Sequence, residues 1–115
     1  MSLFLHGIPN CDTVKKAKTW LEDHSITYQF INFKKDGIDP KEVESWIAKA
    51  GIDTVINKRG TTWRKLSEDE KTISSTEQAV ALICDNPSIV KRPVLVGEDL
   101  LQIGFKPEIY SDLFS

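Results

Sequence analysis

The residue best placed to do chemistry in this sequence is Cys11, in the stretch Gly7-Ile8-Pro9-Asn10-Cys11-Asp12-Thr13-Val14-Lys15-Lys16-Ala17. A proline-containing turn precedes it and an amphipathic pattern follows it. That puts the thiol at the start of a helix, where backbone N–H groups lack intrahelical acceptors and the helix dipole presents its positive end. Such surroundings favour thiolate over thiol, and the thiolate is the nucleophile. Lys15 and Lys16, one turn on, add positive potential that Asp12 partly offsets. The competing reading is a small buried residue filling a turn. Its position after the first strand tips the balance, because binding sites favour loops at the carboxyl ends of strands. Val14 takes the fourth place of what would be a C-x-x-C pair, so Cys11 has no local disulfide partner. A lone thiolate that attacks a disulfide ends as a mixed disulfide, and another thiol must resolve it. The second cysteine, Cys84, lies inside a predicted helix and reads as core. His6 and His24 are separated by a whole predicted helix and Cys84 is remote from both, so no metal-ligand cluster is expected.

Composition narrows the setting. A chain of 115 residues suggests one domain with one substantial core. The formal charge of −2, with both signs interspersed, gives no whole-protein argument for nucleic acid or an anionic membrane. The runs Lys15-Lys16 and Lys34-Lys35 read as solvated faces. No apolar run approaches the roughly 18 to 20 residues of a membrane span. The start, MSLFLHGIPN, lacks the basic opening and long apolar stretch of a secretory signal. Two distant cysteines are not a disulfide framework, so the expected location is a reducing cytoplasm.

The elements that must hold Cys11 alternate regularly. Leu3-Phe4-Leu5 reads as a short buried strand. From Asp12 the period turns helical, with Val14, Ala17, Trp20 and Leu21 on one face. Ile26, Tyr28, Phe30, Ile31 and Phe33 form a β-rich run, and KKDGID a loop. Asp39 predicts an N-cap, with Pro40 at the first helical position, Glu42 completing a box-like D-x-x-E, and Gly51 ending the helix. Val43, Trp46, Ile47 and Ala50 line its inner face. Ser67 with Glu70, and Ser75 with Gln78, predict two more capped helices, the second burying Ala79, Leu82 and Ile83. Pro93 to Gly104 reads as a β-hairpin. Pro107 opens a last helix carrying Ile109, Tyr110, Leu113 and Phe114. The class is therefore α/β, with a mixed sheet flanked by helices. Its order is β-α-β, a helical insertion at about 40–90, a β-hairpin and a final α. That is the element order of the thioredoxin fold, and residues 1–115 read as a single domain of it.

Three stretches carry a family resemblance: GIPNCDTVKKAKTWLE, KRGTTWRKL and NPSIVKRPVLVGEDLLQIGF. They span nearly the whole chain, which resembles the ArsC/Spx family of thioredoxin-like proteins and most closely its small YffB-type branch. The resemblance implies that Cys11 is the redox cysteine and Arg92 of KRPV the anion-binding arginine. It further implies that Pro93 is the proline that faces the cysteine, with the Arg92–Pro93 bond cis. A second arginine falls in KRGTTWRKL, where Arg59 and Arg64 compete; Arg59 is taken into the site and Arg64 read as a solvated charge. Asn10, beside Cys11, joins Arg92, Pro93 and Arg59 as the implied substrate- or glutathione-binding set.

The chain also departs from the family. Its arsenate reductases carry a histidine four residues before the cysteine, where this chain has Gly7 and places His6 one further back. They follow the cysteine with C-x-x-S-R, where this chain has Val14 and Lys15. Their third arginine has no counterpart here, and the nearest cation is Lys106. The Spx regulators often use C-x-x-C, which Val14 breaks. A monothiol in a cytoplasm points to glutathione as co-substrate, with no tightly bound cofactor. Glutathione is an acidic tripeptide, and Arg92, with Arg59 or Lys58, could hold its carboxylates. The expected function is a monothiol glutathione-dependent thiol–disulfide oxidoreductase acting on glutathionylated substrates, with glutaredoxin a candidate partner. The alternatives are a glutathione- and glutaredoxin-coupled arsenate reductase and a non-catalytic Spx-like binding module.

Overall fold

The computed structural model describes residues 2–114. The chain forms two compact units, one made of the chain up to Asp36 and from Arg92 onward, the other of Gly37–Lys91.

The first unit holds the sheet. Its elements are β1 (Phe4–Gly7), α1 (Asp12–Asp23), β2 (Gln29–Asn32), the single turn α2 (Phe33–Asp36), β3 (Val94–Val96), β4 (Leu101–Ile103), and a terminal helix (Pro107–Leu113). The strand order is β2-β1-β3-β4. β1 runs parallel to β2, with Leu5 opposite Phe30, and antiparallel to β3, with His6 opposite Val94. β3 and β4 form the hairpin, with Leu95 opposite Gln102. The parallel pair requires a crossover, which α1 supplies. One core cluster comprises Leu5, Ala17, Leu21, Leu95 and Tyr110, all fully buried. Trp20 packs edge-on against Tyr110 at 5.5 Å between ring centroids, and Phe105 does the same at 4.6 Å. These contacts hold the terminal helix against α1 and the sheet.

Several boundaries differ from the sequence reading. The first strand begins at Phe4 and runs through His6 to Gly7. The β-rich run stops at Asn32, whose side-chain oxygen accepts from the amides of Lys34 and Lys35 at 2.9 and 3.2 Å. That local capping turns Phe33 and the expected KKD loop into helix. In the last helix only Tyr110 is buried, and Leu113 is 37% exposed.

The second unit is helical: α3 (Pro40–Ala50), α4 (Ile52–Val55), α5 (Thr61–Arg64), α6 (Glu68–Lys71), α7 (Thr76–Asp85) and a 3-10 turn (Pro87–Ile89), which makes the terminal helix α8. Asp39 caps α3, accepting from the Lys41 amide at 2.9 Å, and Gly51 ends it at φ 90°, the left-handed region that glycine enters at least cost. The Ser67–Glu70 capping box is complete. Ser75 accepts from the Gln78 amide, but the Gln78 side chain accepts from Ser74 instead of closing the second box. Val43, Trp46, Ile47, Ala79 and Ile83 are buried between α3 and α7. Leu82 and Cys84, both read as core, are only half-buried. The last residues of the unit pair with the segment that follows α4, where Asn57 N–H donates to Ile89 at 2.7 Å and Lys91 N–H to Val55 at 2.8 Å.

Candidate active site

Cys11 is the N-cap of α1. Its backbone is extended (φ −110°, ψ 123°), and its carbonyl accepts from the Lys15 amide at 3.0 Å. The side chain is half-buried and makes no capping hydrogen bond, so the thiol stands beside the helix's first amides without being tied to one. Asp12 lies in the first turn, and Asn10, Lys15 and Lys16 are exposed around it.

The sheet register sets what lies next to this loop. Because His6 of β1 faces Val94 of β3 in an antiparallel pair, the carboxyl end of β1 lies beside the amino end of β3. The Cys11 loop springs from the first, and Pro93 leads into the second. Pro93 is buried, and its carbonyl accepts from Gly104 N–H at 2.9 Å. The Arg92–Pro93 bond is cis, as the family resemblance implies, and Arg92 is half-buried. Cys11, Asn10, Arg92 and Pro93 therefore belong to one unit and to one end of its sheet.

Arg59 and Arg64 belong to the Gly37–Lys91 unit, and both are exposed. Arg59 lies in the loop between α4 and α5, where its amide donates to the Asn57 side-chain oxygen at 3.2 Å. Its neighbour Lys58 is engaged otherwise, paired to Asp53 at 2.7 Å with its ammonium 5.7 Å from the Trp63 ring centroid.

The departures at Gly7 and Val14 turn out to be one feature. A Cβ added at Gly7 would lie 2.8 Å from Cγ2 and 3.4 Å from Cγ1 of Val14, which is itself fully buried. The branched side chain on the first turn of α1 thus occupies the space that a side chain at position 7 would need. A side chain at position 7 would therefore require Val14 or the start of α1 to shift. His6, one residue back, is 7% exposed and has its ring 6.2 Å from Phe33, nearly parallel to it. Burial lowers its pKa to about 4, so it is neutral near pH 7. Val14 was legible only as a core residue of α1; the signal of its second role was the glycine four residues before the cysteine.

A four-stranded mixed sheet with a cysteine at the N-cap position of its first helix and a proline heading the facing strand defines a thioredoxin-like fold. The ArsC family matches residues 6–113, and the chain belongs to it. Among solved structures it is similar to the YffB protein, at 41% identity and a TM-score of 0.94, covering 99% of this chain and 100% of that one. An arsenate reductase (ArsC) related protein from Brucella melitensis is 43% identical, with a TM-score of 0.77 and coverage of 99% and 95%. The global transcriptional regulator Spx of Listeria innocua is 30% identical over 106 residues, 90% of this chain and 80% of that protein. The family context thus holds both reductase-like structures and regulators.

Proposed function

We propose that this protein is a monothiol, glutathione-dependent thiol–disulfide oxidoreductase with Cys11 as its nucleophile. The observation that carries the reading is the half-buried Cys11 thiol at the start of a twelve-residue helix, at the same end of the sheet as Arg92–Pro93.

In the first step the Cys11 thiolate attacks the glutathione sulfur of a mixed disulfide R–S–S–G. A Cys11–glutathione disulfide forms, and R–S⁻ leaves to take a proton from solvent. In the second step the thiolate of a second glutathione attacks the glutathione sulfur of that adduct, releasing oxidised glutathione and returning Cys11 as thiolate. The substrate disulfide is reduced, and two glutathione sulfurs end joined. Val14 at the fourth position removes any local resolving thiol, which is why the second glutathione is required. Arg92 holds a glutathione carboxylate through its planar fork, and Asn10 and Pro93 lie against the peptide backbone of the ligand. No tightly bound cofactor is needed, glutaredoxin is a candidate partner, and a reducing cytoplasm is the setting.

Arsenate reduction is the nearest rival. A small oxyanion needs several converging charge-assisted donors, and the family's third arginine is replaced here by nothing closer than Lys106. Incubation with oxidised glutathione should add one glutathione to Cys11 by mass spectrometry, and a glutathionylated peptide should be turned over with glutathione supplied. Efficient arsenate turnover with glutathione and glutaredoxin would move the assignment to arsenate reduction. Capture of RNA polymerase with neither turnover would move it to the Spx-like binding role.

A further inference from the structure

The helical unit carries a second concave surface, independent of Cys11. It is a groove of about 550 Å³ between α3 and α7, within the size range of small-ligand sites. Its floor is apolar, made by Pro40, Val80, Ala81 and the half-buried Cys84. Its polar rim is acidic: Glu44, Glu77 and Asp85 line it, and among the described residues no lysine or arginine does. A further carboxylate, Asp39, lies close enough to act on the Cys84 thiol. Burial, then Asp85, then Asp39 raise the pKa of that thiol, which reports a negative field over the floor.

Two occupants are disfavoured by this geometry. An acidic ligand such as glutathione would meet like charge on every side. A divalent cation would need converging ligands, and among the described residues no three His, Cys, Asp or Glu side chains come together to hold one. What remains is a partner that is apolar on one face and cationic around it. Two adjacent helix faces with an apolar trough between them receive an amphipathic helix in the helix-in-groove mode, with anchors at i, i+3, i+4 and i+7.

We infer that the α3–α7 groove is a docking site for a basic amphipathic segment of another protein, whose apolar side chains sit on Val80, Ala81 and Cys84 while its lysines or arginines meet Glu44, Glu77 and Asp85. Rim carboxylates of this kind set partner choice and association rate, and their effect weakens with salt.

The probe is a synthetic amphipathic helix with leucine on one face and lysine on the other, and the readout is alkylation of Cys84 in the full chain at mildly alkaline pH. At a peptide concentration about ten times its dissociation constant, Cys84 labelling should slow about tenfold, while Cys11 labelling is unchanged. The same peptide with glutamate in place of lysine should give no protection. Glu44→Lys with Glu77→Lys, both exposed positions, should abolish protection by the lysine peptide. Absence of protection, equal protection by the glutamate peptide, or protection that survives the charge reversal would each overturn the proposal. Equal protection by spermidine would also overturn it, in favour of a small-cation site. None of these outcomes depends on whether Cys11 exchanges disulfides with glutathione, so the two readings stand or fall separately.

Discussion

Replacing Gly7 with alanine tests whether the first turn of α1 leaves no room for a side chain at that position. The added methyl would sit 2.8 Å from Cγ2 of Val14, where carbon atoms prefer about 3.5 to 4.0 Å. Val14 is fully buried on a helix, where a branched side chain has one strongly preferred rotamer, so it cannot swing aside freely. Relief must come from moving the start of α1 away from β1. Overpacking of this kind costs about 1 to 3 kcal/mol, and removing a glycine from the unfolded chain returns about 0.4 to 1 kcal/mol. Gly7→Ala should therefore destabilise by about 1 to 2 kcal/mol. Val14→Ala alone removes two buried methyl groups, at a cost of about 2 kcal/mol.

The double variant carries the decisive information. The new methyl at position 7 partly fills the space vacated at position 14, so the pair should be less destabilised than the two singles together by about 1 to 2 kcal/mol. Urea unfolding of the four proteins measures this, with m-values compared because the chain contains two compact units and a single transition cannot be assumed. Additivity within about 0.5 kcal/mol, or a Gly7→Ala protein as stable as the parent, would refute the reasoning. Gly7 would then need another explanation.

Further outcomes follow from the same structure. Cys11 should alkylate well before Cys84 near neutral pH, because burial, Asp85 and Asp39 hold the Cys84 thiol protonated; Asp85→Asn should speed Cys84, and equal rates in the parent would sink the assignment. Arg92→Lys keeps the charge but loses the planar fork, so glutathione titration followed by NMR should show binding weakened about tenfold, and unchanged affinity would remove Arg92 from the site. His6 has its pKa lowered from 6.5 to about 4 by burial, so the stability tied to its neutral form is complete above pH 6.5 and is lost as pH falls towards 4. That loss is on the order of 3 kcal/mol; His6→Gln should remove this part of the acid sensitivity, and identical pH profiles for the two proteins would count against it.

The helical framework was legible because its signals are local. Asp39-Pro40 and Gly51 bracket α3 where expected, and Ser67–Glu70 closes its box, since caps act over three or four residues. The apolar stripe of α1 put Val14, Ala17, Trp20 and Leu21 on one face; Val14, Ala17 and Leu21 are buried and Trp20 is half-buried. What misled were residues whose burial depends on packing between elements. Leu82 and Cys84 were read as core on α7 but are half-buried, and Cys84 faces a groove. Periodicity gives the face of a helix but not how wide a stripe its neighbours cover.

The candidate site was legible in a different way. Cys11 at a helix start and a proline heading a strand can each be read from sequence, but their placement at one end of the sheet is a property of register. No residue pattern states that His6 lies opposite Val94. Gly7 and Val14 looked like two separate losses from a reductase site, one of a histidine and one of a polar partner for the cysteine. In the structure they are a single packing contact, which sets a buried methyl group against the end of the strand that leads to the thiol. That contact fills the space of a side chain at position 7, and the valine that makes it stands where a local disulfide partner would be. In the proposed reaction Cys11 therefore needs a thiol supplied from outside, which is why glutathione stands at its centre.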